Sequence, residues 1–259
     1  MPRFSSLALA LFLALPLSAA DGAPVATILC YHEVDAAPSH ATIPRGTAAG
    51  NTTAEQLRYT ATVEQFREEL DYLEQNGYHV IALGDLVAYL DGERASLPPR
   101  AVVITVDDGW LCAYTEIFPE LRRRKMPWTL FVYPKIVGRG AHALTWPQIA
   151  ELAAAGVDVE SHTETHPFLT QLDDAQLERE LAGSKATIEK KTQKPVRFLA
   201  YPYGDYDDAV IGDSKNDGYE AAVTTRRAPV TCATPPLALT RYLVHHDTTM
   251  EEFRRFLLP

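Results

Sequence analysis

The chain has 259 residues, 46% of them hydrophobic and 22% charged, enough for one large core or two small ones. Its 14 glycines and 18 prolines exclude collagen-like and low-complexity architectures. A formal net charge of −10 argues against nucleic-acid binding, which needs a clustered surplus of lysine and arginine.

Arg3 supplies a short basic start, residues 7–17 are almost wholly apolar, and Ser18, Ala19 and Ala20 are small. This pattern predicts a signal peptide over residues 1–20, cleaved near Ala20, and an exported, periplasmic or extracellular protein. The alternative is an uncleaved anchor, although the apolar run is short for a bilayer span. No later segment is apolar enough to cross a membrane. Residues 21–259 carry no linker or repeat and read as one domain. Cys30, Cys112 and Cys232 are too few for a disulfide framework and contain no Cys-x-x-Cys pair. One bond plus a free thiol is conceivable, but Cys30 and Cys112 read better as small buried hydrophobes.

Along the chain, residues 26–31 predict a buried strand and 35–58 a long polar loop, a length usually reserved for function or mobility. A helix follows over 62–77. Thr62 and Gln65 form a capping-box pattern, Phe66, Leu70 and Leu73 share one face, and Gly77 caps the end. A short strand at 80–81 and a helix at 85–90 precede the strand 101–106, which stops at Asp107-Asp108-Gly109. Next come a helix at 115–125, a strand at 129–133, a helix at 147–155 ended by Gly156, and a strand at 157–160. A charged helix at 175–191 leads to a strand at 197–201, a helix at 207–216 and strands at 220–223 and 242–244. A short helix starts at Met250. Repeated strand–helix units imply parallel strands with helices outside, and about seven of them fit a (β/α) barrel, distorted or incomplete, of seven-stranded type.

In such folds the active site lies at the carboxyl ends of the strands, where three polar clusters fall. The first is Thr105-Val-Asp-Asp-Gly109. Adjacent carboxylates repel unless a cation or a shared proton intervenes, though Asp-Asp-Gly alone is also a common turn. The second, Glu160 to Pro167, holds His162 and His166, which can meet at one metal if the residues between them make a helix-like turn that Pro167 stops. Two imidazoles and one carboxylate form a facial ligand set with open positions, and the other carboxylate can take a proton from the attacking water. The third, Phe198 to Gly204, has a Pro-Tyr-Gly that can turn a backbone N–H toward an oxyanion or simply be a turn.

Together and in this order the clusters resemble the polysaccharide deacetylases of carbohydrate esterase family four. The family's Thr-Phe-Asp-Asp-Gly is Thr105 to Gly109, with Val106 for Phe. Its His-Ser/Thr-x-x-His-Pro is His162 to Pro167, and its Pro-Tyr-Gly is Pro202 to Gly204. The likeness runs from about Ile28, with Leu29-Cys-Tyr-His-Glu-Val34 as opening strand, to near Phe256. It implies Asp108, His162 and His166 as metal ligands, Asp107 as catalytic base and the Tyr203 N–H as oxyanion donor. The implied reaction is hydrolysis of an N-acetyl group, less often O-acetyl, on a polysaccharide, releasing acetate. Zinc is the default ion; cobalt, nickel and iron also suit the donors.

Two departures stand out. Many members carry an arginine three residues before the tyrosine of the third motif, where it orients the base, and here that position is Ala200. The fourth motif is not recognisable in Thr224-Thr-Arg226. The final Leu-x-His matches Leu243-Val-His245, which implies His245 as general acid, with His246 a competitor. With the Tyr-His opening, these features resemble exported deacetylases of biofilm poly-β-1,6-N-acetylglucosamine more than chitin-oligosaccharide enzymes. His32 would lie at the barrel mouth, as a substrate contact or a core histidine. Trp110, Trp146 and Tyr203 are candidates for a sugar-binding rim, and Trp128 for the core. The competing readings are an inactive glycan-binding domain that assists polymer export and an O-acetyl esterase on another glycan.

Overall fold

A computed structural model describes residues 22–35 and 58–257. The expected leader and nearly all of the expected loop at 35–58 lie outside the described residues. The strands are β1 (Pro24–Tyr31), β2 (Glu33–Asp35), β3 (Thr60–Thr62), β4 (His79–Val80), β5 (Ala101–Val106), β6 (Thr129–Val132), β7 (Asp158–Ser161), β8 (Phe198–Ala200), β9 (Ala221–Val223), β10 (Val230–Thr231) and β11 (Tyr242–Leu243). The helices are α1 (Val63–Gln75), α2 (Leu83–Leu90), α3 (Phe118–Arg124), α4 (Trp146–Ala154), α5 (Asp174–Thr192), α6 (Asp208–Asn216) and α7 (Met250–Phe256).

One curled sheet runs β10-β1-β5-β6-β7-β8-β9, an incomplete and distorted (β/α) barrel. Its strands are parallel except β10. Two flanks are shared. β10 covers the amino half of β1 and β11 its carboxyl half, while β4 and β6 divide one flank of β5 in the same way. Between β9 and β1 the gap is bridged by residues 236–243: Leu239 pairs with Val223, and Tyr242 and Leu243 pair with Leu29 and Cys30. The short strand β10 and the β2–β3 pair escape the sequence patterning because each is only two or three residues long.

Strand alternation separates two apolar layers. Leu29, Ile104, Leu130 and Leu199 face outward under the helices, whereas Ile28, Val103, Phe131 and Phe198 face inward. Leu83, Leu86 and Val87 of α2 join the inner layer and plug the barrel near the amino ends of the strands. The carboxyl ends stay polar. Trp128 is buried in the outer layer, as expected.

Helix ends follow local chemistry, with two differences from expectation. Thr62 caps α1 by accepting from the Gln65 N–H at 3.0 Å, but the Gln65 side chain does not return to complete the box. Its amide instead donates to Glu69 and to the His245 carbonyl, both at 3.0 Å, tying α1 to the cavity wall. Gly77, at φ 70°, ends the helix while the Tyr78 N–H bonds to the Leu73 carbonyl. The expected helix at 115–125 opens instead as a π-helical turn, Ala113–Ile117, before α3. Pro119 has no N–H to give to the carbonyl four residues back, and the backbone widens there.

Glu69 is fully buried, accepting from the Tyr31 hydroxyl at 2.7 Å and from Gln65. Burial raises its pKa from 4.5 to about 7, against the lowering effect of these two donors. Because the folded value lies above the unfolded one, its contribution to stability is complete below pH 4.5 and is lost as the pH rises through 7. Chemical denaturation across this range should show Glu69→Gln gaining about 3 kcal/mol on the wild type as the pH rises. A difference that stays constant with pH would contradict this account.

Candidate active site

β5 delivers two aspartates and then turns sharply. Asp108 and Gly109 lie at φ 79° and 100°, so the two carboxylates leave the strand end in different directions. Only glycine fits at 109, where a Cβ would stand 2.8 Å from Val132 Cγ2. Asp107 and Asp108 are both buried.

Asp108 Oδ1 lies 3.7 Å from His162 Nε2 and 3.6 Å from His166 Nε2. Its Oδ2 accepts from Trp110 Nε1 at 2.9 Å. His162 follows β7, and its Nδ1 sits 2.7 Å from the Ala200 carbonyl. A carbonyl only accepts, so Nδ1 carries the proton and Nε2 presents its lone pair to Asp108 and His166. The turn between the histidines is not the helix-like one expected. Thr163 and His166 both adopt φ 64°, and the His166 N–H is held by Thr163 Oγ1 at 3.1 Å. Glu180 of α5 pins the loop, accepting from the N–H groups of Glu164 and Thr165 at 2.9 and 2.8 Å and from Thr165 Oγ1 at 2.7 Å. Backbone donors without helical partners are satisfied by this carboxylate instead.

The three ligand-type atoms lie within 4.8 Å of one another. The measured edges of 3.6 and 3.7 Å suit one ion about 2.1 Å from each atom. The two nitrogens and one oxygen, with hydrogen-bonded supports behind His162 and Asp108, fit a divalent cation.

Asp107 is held from the opposite side. Arg241, fully buried, donates from Nη1 to Oδ1 at 2.8 Å and from Nη2 to Oδ2 at 2.7 Å. Further bonds to the Thr224 carbonyl and Thr105 Oγ1 fix the guanidinium plane. Burial alone would raise the Asp107 pKa, but the Arg241 guanidinium leaves it below the ordinary carboxylate value. Asp107 is therefore an ionised, oriented carboxylate 3.9 Å from His162 Nε2.

These groups open into a cavity of ≈ 320 Å³ whose walls include His32, Tyr59, Tyr203 and His245. His245 is half-buried, and its Nε2 has no hydrogen-bond partner among the described residues. Burial, then Arg58, pulls its pKa below 6.5. His246 is exposed beside Asp247 and does not line the cavity. Tyr203, at φ 60°, stands on the rim.

The expected aromatic rim is rearranged. Trp110 is buried beneath Asp108, and Trp146 begins α4 under Lys191, away from the cavity lining. Phe168 takes their place: it stacks on Tyr203 with centroids 4.2 Å apart and planes at 17°, and both rings are about two-fifths exposed. All three cysteines are free thiols. Sequence reasoning missed Arg241, Glu180 and Phe168. The absence of the usual arginine at Ala200 was a signal, because a buried base needs its cation from somewhere.

Residues 94–222 match the polysaccharide deacetylase family. The chain contains a polysaccharide deacetylase domain. YxkH, a Bacillus subtilis protein named as a polysaccharide deacetylase, is 30% identical over 162 residues, 62% of this chain and 57% of its own length. The chain thus spans little more than half of that relative. A Staphylococcus epidermidis protein named poly-β-1,6-N-acetyl-D-glucosamine N-deacetylase is 27% identical over 202 residues, covering 73% of this chain and 69% of its own. The Streptococcus pyogenes deacetylase PplD, solved in complex with acetate, superposes with a TM-score of 0.77 at 25% identity, covering 92% of this chain and 100% of that one. Arg241 lies beyond the matched segment, on the strand-bridging residues.

The buried pair makes a stability prediction independent of turnover. In chelator, Arg241→Met should lower the unfolding free energy by about 3–5 kcal/mol, since Asp107 is left charged and buried. The double variant Asp107→Asn/Arg241→Met should recover part of that loss. A single variant as stable as the wild type would mean that the pair carries no such energy.

Proposed function

We propose that this protein is a metal-dependent N-deacetylase of an acetylated polysaccharide, of the poly-β-1,6-N-acetylglucosamine kind, acting outside the cytoplasm. The observation that carries the reading is the division of labour between neighbouring carboxylates, Asp108 toward two imidazoles and Asp107 toward Arg241. Asp108, His162 and His166 would hold the cation, with zinc first among candidates and cobalt, nickel or iron(II) compatible with the donors.

Asp107 accepts a proton from the water that attacks the acetyl carbon, and Arg241 keeps it ionised and aimed. A carboxylate held below its ordinary range is a weak base, and a divalent cation held by Asp108, His162 and His166 would supply the missing drive, acidifying water and polarising the acyl oxygen. The backbone N–H of Tyr203 donates to the oxyanion as it forms. His245 gives a proton to the departing amine, and acetate leaves. The stacked faces of Phe168 and Tyr203 beside His166 offer apolar area to a pyranose ring. The acetate complex of PplD and the name of the Staphylococcus epidermidis relative support the product and the polymer. An inactive glycan-binding domain fits less well, because base, ligands and cation-fixed orientation are all present in one cavity.

The direct test is acetate release from poly-β-1,6-N-acetylglucosamine, chitin oligomers and acetyl-xylan, with chelator and with added metals. Release from the first polymer, abolished by chelator and restored by a divalent ion, is expected. Release from acetyl-xylan alone would reassign the enzyme as an O-acetyl esterase, and none from any glycan would favour the binding domain. Asp107→Asn should abolish turnover yet retain metal, whereas His162→Ala and His166→Ala should lose metal, measured by elemental analysis. His245→Ala should slow turnover with metal content unchanged, and an unaltered rate would remove it from the mechanism.

A further inference from the structure

Three other groups converge beside Asp108. Strand alternation places Cys30, at the end of β1, on the same face as His32 two residues later. Register pairs Cys30 with Thr105 and Tyr31 with Val106, so Asp107 follows directly alongside. The Cys30 thiol donates to Asp107 Oδ2 at 3.5 Å, and its sulfur lies 3.9 Å from His32 Nδ1. One donor atom from each of Cys30, His32 and Asp107 falls within 4.8 Å of the others.

We propose that Cys30, His32 and Asp107 form a second cation site, selective for thiophilic divalent ions such as excess zinc or cadmium, whose occupation inhibits the enzyme. A tetrahedral ion about 2.3 Å from sulfur and about 2.0–2.1 Å from nitrogen or oxygen sets its ligands about 3.3–3.6 Å apart, which matches the 3.5 Å from sulfur to Asp107 Oδ2 and asks the His32 ring, 3.9 Å from sulfur, to draw inward. The donor chemistry is distinct from that of the neighbouring triad, which has no sulfur. Thiolate favours soft ions and excludes magnesium and calcium. Without an ion, the Cys30 thiol carries the proton it donates to Asp107 Oδ2. On coordination that proton passes to water, the Cys30 sulfur and His32 nitrogen each donate a lone pair, and Asp107 Oδ2 donates a second pair beside its Arg241 bond. Entry is through the cavity, where His32 is part of the wall and only half-buried. An Asp107 oxygen committed to an ion cannot accept a proton from water, hence the inhibition. That consequence rests on the reading of Asp107 as base. The binding itself does not.

The test uses the full chain carrying one equivalent of zinc, in a Cys232→Ala background that removes the exposed thiol, titrated with cadmium alone. A thiolate-to-cadmium charge-transfer absorption in the ultraviolet should rise and saturate at one added equivalent. It should vanish in Cys30→Ala, persist in Cys112→Ala, and need about tenfold more cadmium or higher in His32→Ala. The zinc content of Cys30→Ala, still one equivalent, checks that the variant is folded. If it is not, the His32→Ala shift decides the matter. No absorption in the parent protein, or absorption indifferent to these substitutions, overturns the site whether or not the protein proves to be a deacetylase.

Discussion

A buried guanidinium allows two consecutive aspartates to serve one cavity. Asp107 and Asp108 are both shielded from water, and adjacent carboxylates in such surroundings cannot both stay ionised unaided. Arg241 neutralises the first through two bonds, leaving the second to the imidazoles. Left-handed backbone at Asp108 and Gly109 makes that partition possible by turning the carboxylates apart.

The same arginine belongs to the barrel's closure. It lies between Leu239, which pairs beside β9, and Tyr242, which pairs beside β1, so its side chain enters the interior from the seam. Its Nε bond to the Thr224 carbonyl and its Nη1 bond to Thr105 Oγ1 join the two sides of that seam. Closure of the sheet and orientation of the base are thus one structural event. Nearby supports follow the same economy of means. The carbonyl of Ala200 orients His162, Glu180 holds the His166 loop, and Gln65 braces the His245 segment from α1.

Much of this architecture was legible from the chain. The run 101–106 appears as β5 with the expected ends, and the aspartates, histidines and Pro-Tyr-Gly turn emerge where parallel strands should put them. What stayed hidden depended on distance or on context. Arg241 is 134 residues from Asp107, in a segment with little strand pattern, and nothing local distinguishes it from Arg226 or Arg227. Glu180 reads as one more charge on a polar helix until the loop it caps is known. Phe168 follows Pro167 as an ordinary apolar residue, and its stacking on Tyr203 arises only when two loops meet. Trp110 misled in the opposite sense, since its indole N–H serves Asp108 from within the core.

X-ray absorption at the zinc edge, on protein loaded with a single equivalent, probes the partition of the two carboxylates most directly. Coordination by two imidazole nitrogens and oxygen at about 2.0–2.1 Å, without sulfur, is the predicted outcome, with Asp107 left to Arg241. A sulfur scatterer at about 2.3 Å would place the first ion on Cys30 and Asp107 instead and contradict the account.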